Sequence, residues 1–171
     1  GIKGGITYTK IYGDEVEDVD YYTGFAIGAF YQYELNPRFA ISPEFYYSTR
    51  GAKESTFDIN VKLGYVDIPV LLKLMFPTDG PARPAVYAGG YYGFLMSAEM
   101  EELDIKDLVS GSDYGLIFGG SVDVMLKEGK QLVNFDVRYI YGLANINDDP
   151  EDPGDVMNSG FQFLLGWGFN L

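Results

Sequence analysis

The chain has 171 residues, a net charge of −13, and neither histidine nor cysteine. Without cysteine there is no disulfide, thiolate nucleophile or zinc–thiolate site, and without histidine no Ser–His or Cys–His pair and no imidazole metal ligand. The acidic balance excludes nucleic acid, whose phosphates demand clustered Lys and Arg, and no run of about 18 apolar residues marks a transmembrane helix.

Tyrosine (15), phenylalanine (12) and glycine (22) are abundant, a composition that favours strands over helices. The pattern along the chain has a period of two, the signature of strands with two unlike faces. The opening strand sets Ile2, Ile6 and Tyr8 against Lys3, Gly5, Thr7 and Thr9. Residues 23–35 put Phe25, Ile27, Ala29, Tyr31, Tyr33 and Leu35 opposite Gly24, Ala26, Gly28, Phe30, Gln32 and Glu34. Asn36-Pro37 is a turn signal. Phe39, Ile41, Pro43, Phe45 and Tyr47 then alternate with Arg38, Ala40, Ser42, Glu44, Tyr46, Ser48 and Arg50.

Residues 57–76 carry Val66, Ile68, Val70, Leu72, Leu74 and Phe76 against Tyr65, Asp67, Pro69, Leu71 and Lys73. The phase upstream of Gly64 reads as reversed, which predicts a bulge or an excursion there. Residues 84–97 are small and aromatic on both faces, leaving their register open. Residues 113–126 set Tyr114, Leu116, Phe118, Val122, Val124 and Leu126 against Asp113, Gly115, Gly119, Ser121 and Asp123. Residues 131–143 set Val133, Phe135, Val137, Tyr139, Tyr141 and Leu143 against Asn134, Asp136, Arg138 and Gly142. The last segment is the clearest, with Phe161, Phe163, Leu165, Trp167, Phe169 and Leu171 opposite Gly160, Gln162, Leu164, Gly166, Gly168 and Asn170.

These are eight strands, each long enough to cross a bilayer at a tilt, for which about 9–11 residues suffice. Asn36-Pro37, residues 77–84 and residues 127–130 read as short turns. Residues 13–21, 50–57, 98–112 and 144–158 read as longer, acid-rich loops, with a helical turn expected within 99–108. Short turns at one end and long polar loops at the other are the asymmetry of membrane barrels.

A soluble calycin-like barrel also alternates, but it hides its apolar face inside. Here the apolar face is bulky and aromatic. The other face mixes Gly, Ala and Ser with Glu34, Arg38, Glu44, Arg50, Asp67, Lys73, Asp123, Asp136 and Arg138. Charges of both signs among small residues suit the narrow interior of eight strands, where space is short and charges must pair. The predicted fold is therefore all-β: one eight-stranded antiparallel up-and-down transmembrane β-barrel spanning 1–171, with a side-chain-filled lumen and Glu44, Arg50, Asp67, Lys73, Asp136 and Arg138 in cross-strand pairs.

Three strand patterns carry a resemblance. Gly1 to Thr9, Val66 to Lys73 (VDIPVLLK) and Arg138 to Leu143 (RYIYGL) resemble the PorT-like outer-membrane β-barrel family common in Bacteroidetes, and the resemblance covers essentially the whole chain. It implies an eight-stranded barrel of OmpA- and OmpX-like architecture in the bacterial outer membrane and implies little about activity. As an exported protein, the chain is expected to have lost a signal peptide.

No residue is singled out as catalytic, cofactor-binding or metal-ligating, and no cofactor is expected. Outer-membrane barrel enzymes generally rely on histidine, by resemblance to those families. The pairs Gly89-Gly90 and Gly119-Gly120 do not open a helix after a strand, so the dinucleotide reading fails. Pro43 and Pro69, inside strands, predict bulges. The run Asn145, Asn147, Asp148, Asp149, Glu151, Asp152 and Asp155 lacks EF-hand spacing and reads as a solvated loop that binds divalent cations weakly at most. The expectation is a monomeric, non-enzymatic barrel in lipid, with adhesion, partner binding or envelope integrity as its role. An accessory of a secretion or assembly machine, or a soluble small-molecule-binding barrel, are the alternatives.

Overall fold

The structure, a computed structural model, describes residues 1–13, 19–54, 59–100, 103–126, 129–148 and 154–170. Its strands in chain order are β1 (Ile2–Gly13), β2 (Val19–Phe30), β3 (Tyr33–Asn36), β4 (Phe39–Glu54), β5 (Ile59–Met75), β6 (Ala82–Met100), β7 (Leu103–Asp104), β8 (Ser112–Leu126), β9 (Gln131–Gly142) and β10 (Val156–Phe169). All pairings are antiparallel. They run β2-β1-β10-β9-β8-β6-β5-β4, and β2 also pairs with β4, closing the sheet on itself. Because β3 continues the wall begun by β2 and β7 only folds back on β6, the wall has eight crossings. Closure leaves no free edge, which a lipid environment demands.

The two faces sort as the alternation predicts. Phe161, Phe163, Leu165, Trp167 and Phe169 are 40–63% exposed, whereas Gln162 and Leu164 between them are 4%. The soluble-barrel alternative would require the opposite sorting. Inward glycines make room for rings on the neighbouring strand. Gly28 pairs with Tyr46 and Gly119 with Tyr87, and a Cβ at Gly119 would stand 2.6 Å from the Tyr87 ring.

Both kinds of connection are present. At one end Asn36 Oδ1 accepts the backbone N–H groups of Arg38 and Phe39, each at 2.9 Å. At the same end, Gly129 takes φ +86° before β9, a conformation that favours glycine. The other end carries the long connections, including a 3-10 turn at Lys106–Leu108 where a helical turn was expected. Several of these connections are shorter than the sequence suggests, because the ladders continue past the apolar band. β4 runs to Glu54 and β5 begins at Ile59, so most of 50–57 is strand, and residues 55–57 lie outside the described residues.

Two register expectations need correcting. The phase of β5 does not reverse upstream of Gly64: Leu63, Tyr65 and Asp67 all point inward. The bulge expected at Gly64 is present, but on the partner strand: Gly64 pairs with Ser97 and Tyr65 with Leu95, so the extra residue, Met96, lies on β6. Burial on β6 accordingly switches from odd positions, ending at Leu95, to Ala98. Apolar Leu63 misled the alternation because it joins a plug of Tyr65, Leu95, Ala98 and Ile146 inside the mouth. Nor do Pro43 and Pro69 form bulges. Pro43 pairs with Val70 and Tyr46 with Asp67, an unchanged register with a gap between them, as expected where proline has no N–H to give. For residues 84–97 the structure supplies the missing register: Ala85, Tyr87, Tyr91, Gly93 and Leu95 face inward.

A second irregularity lies between β2 and β4, where Tyr21 pairs with Ala52 but Ala26 with Ser48. Side chains take over from the ladder there. Thr49 Oγ1 accepts the Phe25 N–H (2.9 Å), and Thr7 Oγ1, reaching from β1 past Gly24, donates to the Thr49 carbonyl (2.6 Å).

Candidate functional site

The polar face of the wall strands folds into two charged tiers inside the barrel. Near the short-turn end, Lys3 from β1 lies 2.9 Å from both Glu44 on β4 and Asp136 on β9. Arg138 on β9 contacts the same two acids at 2.6 and 2.8 Å. Tyr87 donates to Asp136 at 2.5 Å, and the Arg138 guanidinium lies over the rings of Tyr46 and Tyr87. Two cations thus face two carboxylates in a closed, charge-balanced square.

Nearer the long-loop end, Arg50 on β4 holds Asp67 on β5 and Asp113 on β8, both at 2.6 Å. Ser48 donates to Asp67 (2.5 Å). Tyr91 and Asn158 donate to Asp113 (3.0 and 3.1 Å). The guanidinium lies over the rings of Tyr65 and Tyr91. Between the tiers sits an apolar layer that includes Leu71, Ile117 and Ile140, with Ala26, Tyr46 and Leu164 packed together in a second cluster.

The expected lumen residues divide three ways. Glu44, Arg50, Asp67, Asp136 and Arg138 pair as predicted. Lys73 is buried but donates to the Gln32 amide at 2.9 Å rather than to a carboxylate, and Asp123 accepts from Asn134 at 2.6 Å. Glu34 and Arg38 are corrections: both are exposed at the short-turn rim, where Glu34 meets Arg83 at 3.5 Å. Alternation cannot tell how far along a strand the lumen ends. Lys3 and Asp113 are tier members that the pairing expectation missed. Their parity, the same as that of Thr7 and Gly115, was the available signal.

At the long-loop end the chain folds over the mouth. Val109 bridges to Asn147, the Ser110 N–H reaches the Ile146 carbonyl (2.8 Å), and the Ile146 N–H reaches that of Val156 (2.8 Å). Ile105 and Val109 pack on the plug around Ile146. In the acidic run, Asn145 Oδ1 accepts the N–H groups of Asn147 and Val156 (both 3.0 Å) while its amide donates to Asp155 (2.8 Å). Part of that run therefore closes the neck of its own loop. Asp149, Glu151 and Asp152 lie outside the described residues.

A family profile described as "Outer membrane protein beta-barrel domain" matches residues 1–148. No curated protein matches. Among solved structures the chain is similar to Neisserial surface protein A, with 14% identity, TM-score 0.61, and 96% of this chain and 93% of that one covered. It is similar to the outer membrane protein OprG of Pseudomonas aeruginosa, with 16% identity, TM-score 0.58 and coverage of 98% and 92%. It is also similar to Ail, the attachment invasion locus protein of Yersinia pestis, with 16% identity, TM-score 0.51 and coverage of 97% and 95%. At these identities the likeness is one of fold.

Proposed function

The chain belongs to the outer membrane protein β-barrel domain family, and from that premise we propose that it is a non-enzymatic, monomeric barrel that binds a cationic partner at the cell surface, in adhesion, partner capture or envelope integrity. The observation that supports this reading is where the charge lies. At the long-loop end, residues 10–20, 53–62, 99–107 and 148–155 hold seventeen acidic and four basic residues, a net −13. The remaining eight acidic and eight basic residues cancel, so these segments carry the whole imbalance. Such a collar steers cations toward itself, with a reach set by a Debye length of about 8 Å at physiological salt. Inside, each buried carboxylate accepts at least one hydrogen bond from a cation, hydroxyl or amide.

The test is binding of a decalysine peptide to the purified barrel in nanodiscs. Binding that weakens with rising salt, and weakens further when Asp148, Asp149, Glu151, Asp152 and Asp155 are replaced by their amides, supports the reading. No binding at low salt, or binding indifferent to those replacements, overturns it. A second reading, an accessory of a secretion or assembly machine, draws on the PorT-like patterns at Val66 to Lys73 and Arg138 to Leu143. Recovery of envelope secretion components by crosslinking from residues 98–112 would favour it.

A further inference from the structure

The two tiers differ in their balance. Near the short-turn end, the charges of Lys3 and Arg138 match those of Glu44 and Asp136, and the more distant Lys73 and Asp123 add one of each sign. Near the long-loop end, one guanidinium, Arg50, serves two carboxylates, Asp67 and Asp113, leaving a surplus of one negative charge. That tier is closed off. The plug of Leu63, Leu95 and Ile146 lies toward the mouth, and Leu71, Ile117 and Ile140 lie below. Asp67, Asp113 and Asn158 are 0–3% exposed. An uncompensated charge in such a place is strongly unfavourable.

Among the described residues, the same tier holds three buried oxygens without a hydrogen-bond partner, Asp67 Oδ1, Asp113 Oδ1 and Asn158 Oδ1, beside one unpartnered donor, Arg50 Nε. Their opposite atoms are all engaged. Arg50 holds Oδ2 of each aspartate, and the Asn158 amide nitrogen donates to Asp113, which fixes the amide oxygen on its free side. Gly93 lies between the two acids, paired with Asp67 on one side and Asp113 on the other. Its missing side chain leaves a cradle into which Asp67 Oδ1 leans, 2.5 Å from where a Cβ would stand.

We propose that this tier is a binding site for one monovalent hard cation of the sodium type, held by Asp67 Oδ1, Asp113 Oδ1 and Asn158 Oδ1 beside Gly93. Carboxylate and amide oxygens are the donors that hard cations take. One positive charge brings the tier to neutrality, whereas a divalent ion would leave it positive in a place where water cannot compensate. A single proton would also neutralise the tier, but it can satisfy at most two of the three oxygens. The ion would lock β5, β6, β8 and β10 together above the apolar layer, independently of whatever the outer loops bind.

Two measurements test the site. Crystals grown with a thallous salt should show an anomalous peak among the three oxygens; its absence overturns the proposal. In detergent at constant ionic strength, replacing tetramethylammonium chloride by sodium chloride should raise the heat-unfolding midpoint of the wild type, with a rise that grows with sodium concentration. Asp113→Asn removes the surplus charge, and Gly93→Ala fills the cradle without changing any charge. Both variants should lose the sodium response. If the wild type ignores sodium but gains the same stability in tetramethylammonium when the pH is lowered, a shared proton occupies the tier and the proposal fails. Should either variant not fold, the thallous peak and the wild-type response decide the matter without it.

Discussion

A single arginine shows why the lumen charges are a stabilising device only as a set. Arg138 is 1% exposed and makes its two carboxylate contacts with no water to replace them. Removing it leaves Lys3 as the one cation on Glu44 and Asp136, and the stranded negative charge stays in the interior. Arg138→Leu is therefore expected to cost about 3–5 kcal/mol, read as a shift of the urea unfolding midpoint in micelles. The pair at the short-turn rim gives the contrast. Glu34 and Arg83 are 3.5 Å apart with side chains 44% exposed, so water screens them already. Glu34→Gln should change stability by less than about 1 kcal/mol. Equal losses from the two substitutions would mean that the Arg138 tier is hydrated and the lumen wetter than its packing implies.

At the level of elements, the least regular part of the wall is the seam between β2 and β4. Between Tyr21 and Ala26 the ladder slips, and Thr7, Thr9 and Thr49 supply hydroxyls where backbone pairing lapses. Thr7 reaches β4 only because Gly24 has no side chain: a Cβ there would stand 2.7 Å from Thr7 Oγ1 and 2.6 Å from the Thr49 carbonyl. Gly24→Ala should force those groups apart and cost about 1–3 kcal/mol, and amide exchange of the neighbouring β2 and β4 residues should accelerate while that of β9 and β10 does not. Uniform acceleration would count against a local seam. Strand identity and facing were legible in the sequence wherever bulky apolar residues alternate with small or charged ones, as from Phe161 to Phe169. Legibility failed where a face changes character along one strand. Leu63 is apolar yet inward, because the lumen turns apolar at the plug. Glu34 keeps lumen parity but lies beyond its rim. Parity reports direction, whereas these residues are decided by height along the barrel axis, which depends on shear and register that no single strand encodes.

Over the whole molecule, charge and packing are arranged along one axis. The segments 10–20, 53–62, 99–107 and 148–155 carry the net −13, and the mouth at that end is plugged by Leu63, Tyr65, Leu95, Ala98 and Ile146. Behind the plug come the Arg50 tier, the layer of Leu71, Ile117 and Ile140, and then the Lys3–Arg138 tier. A permeating ion would have to shed its water twice to pass the apolar layers, and between and beyond them it would meet guanidinium and ammonium groups already bound to carboxylates. Eight strands give no spare width for a hydrated path around these side chains. The intact protein should therefore show no large, steady conductance in planar bilayers, even with the acidic end facing a concentrated cation solution that would draw cations to the mouth. Removing the central layer is the informative control. Leu71→Gly with Ile117→Gly opens space between two charged tiers without touching a charge, and brief conducting events should then appear, selective for cations because the mouth is acidic. Steady conductance in the unaltered protein would show that the plug and layer are not closed in the membrane. Silence in the double variant would instead place the barrier in the mouth plug or the charged tiers, which the substitutions leave intact.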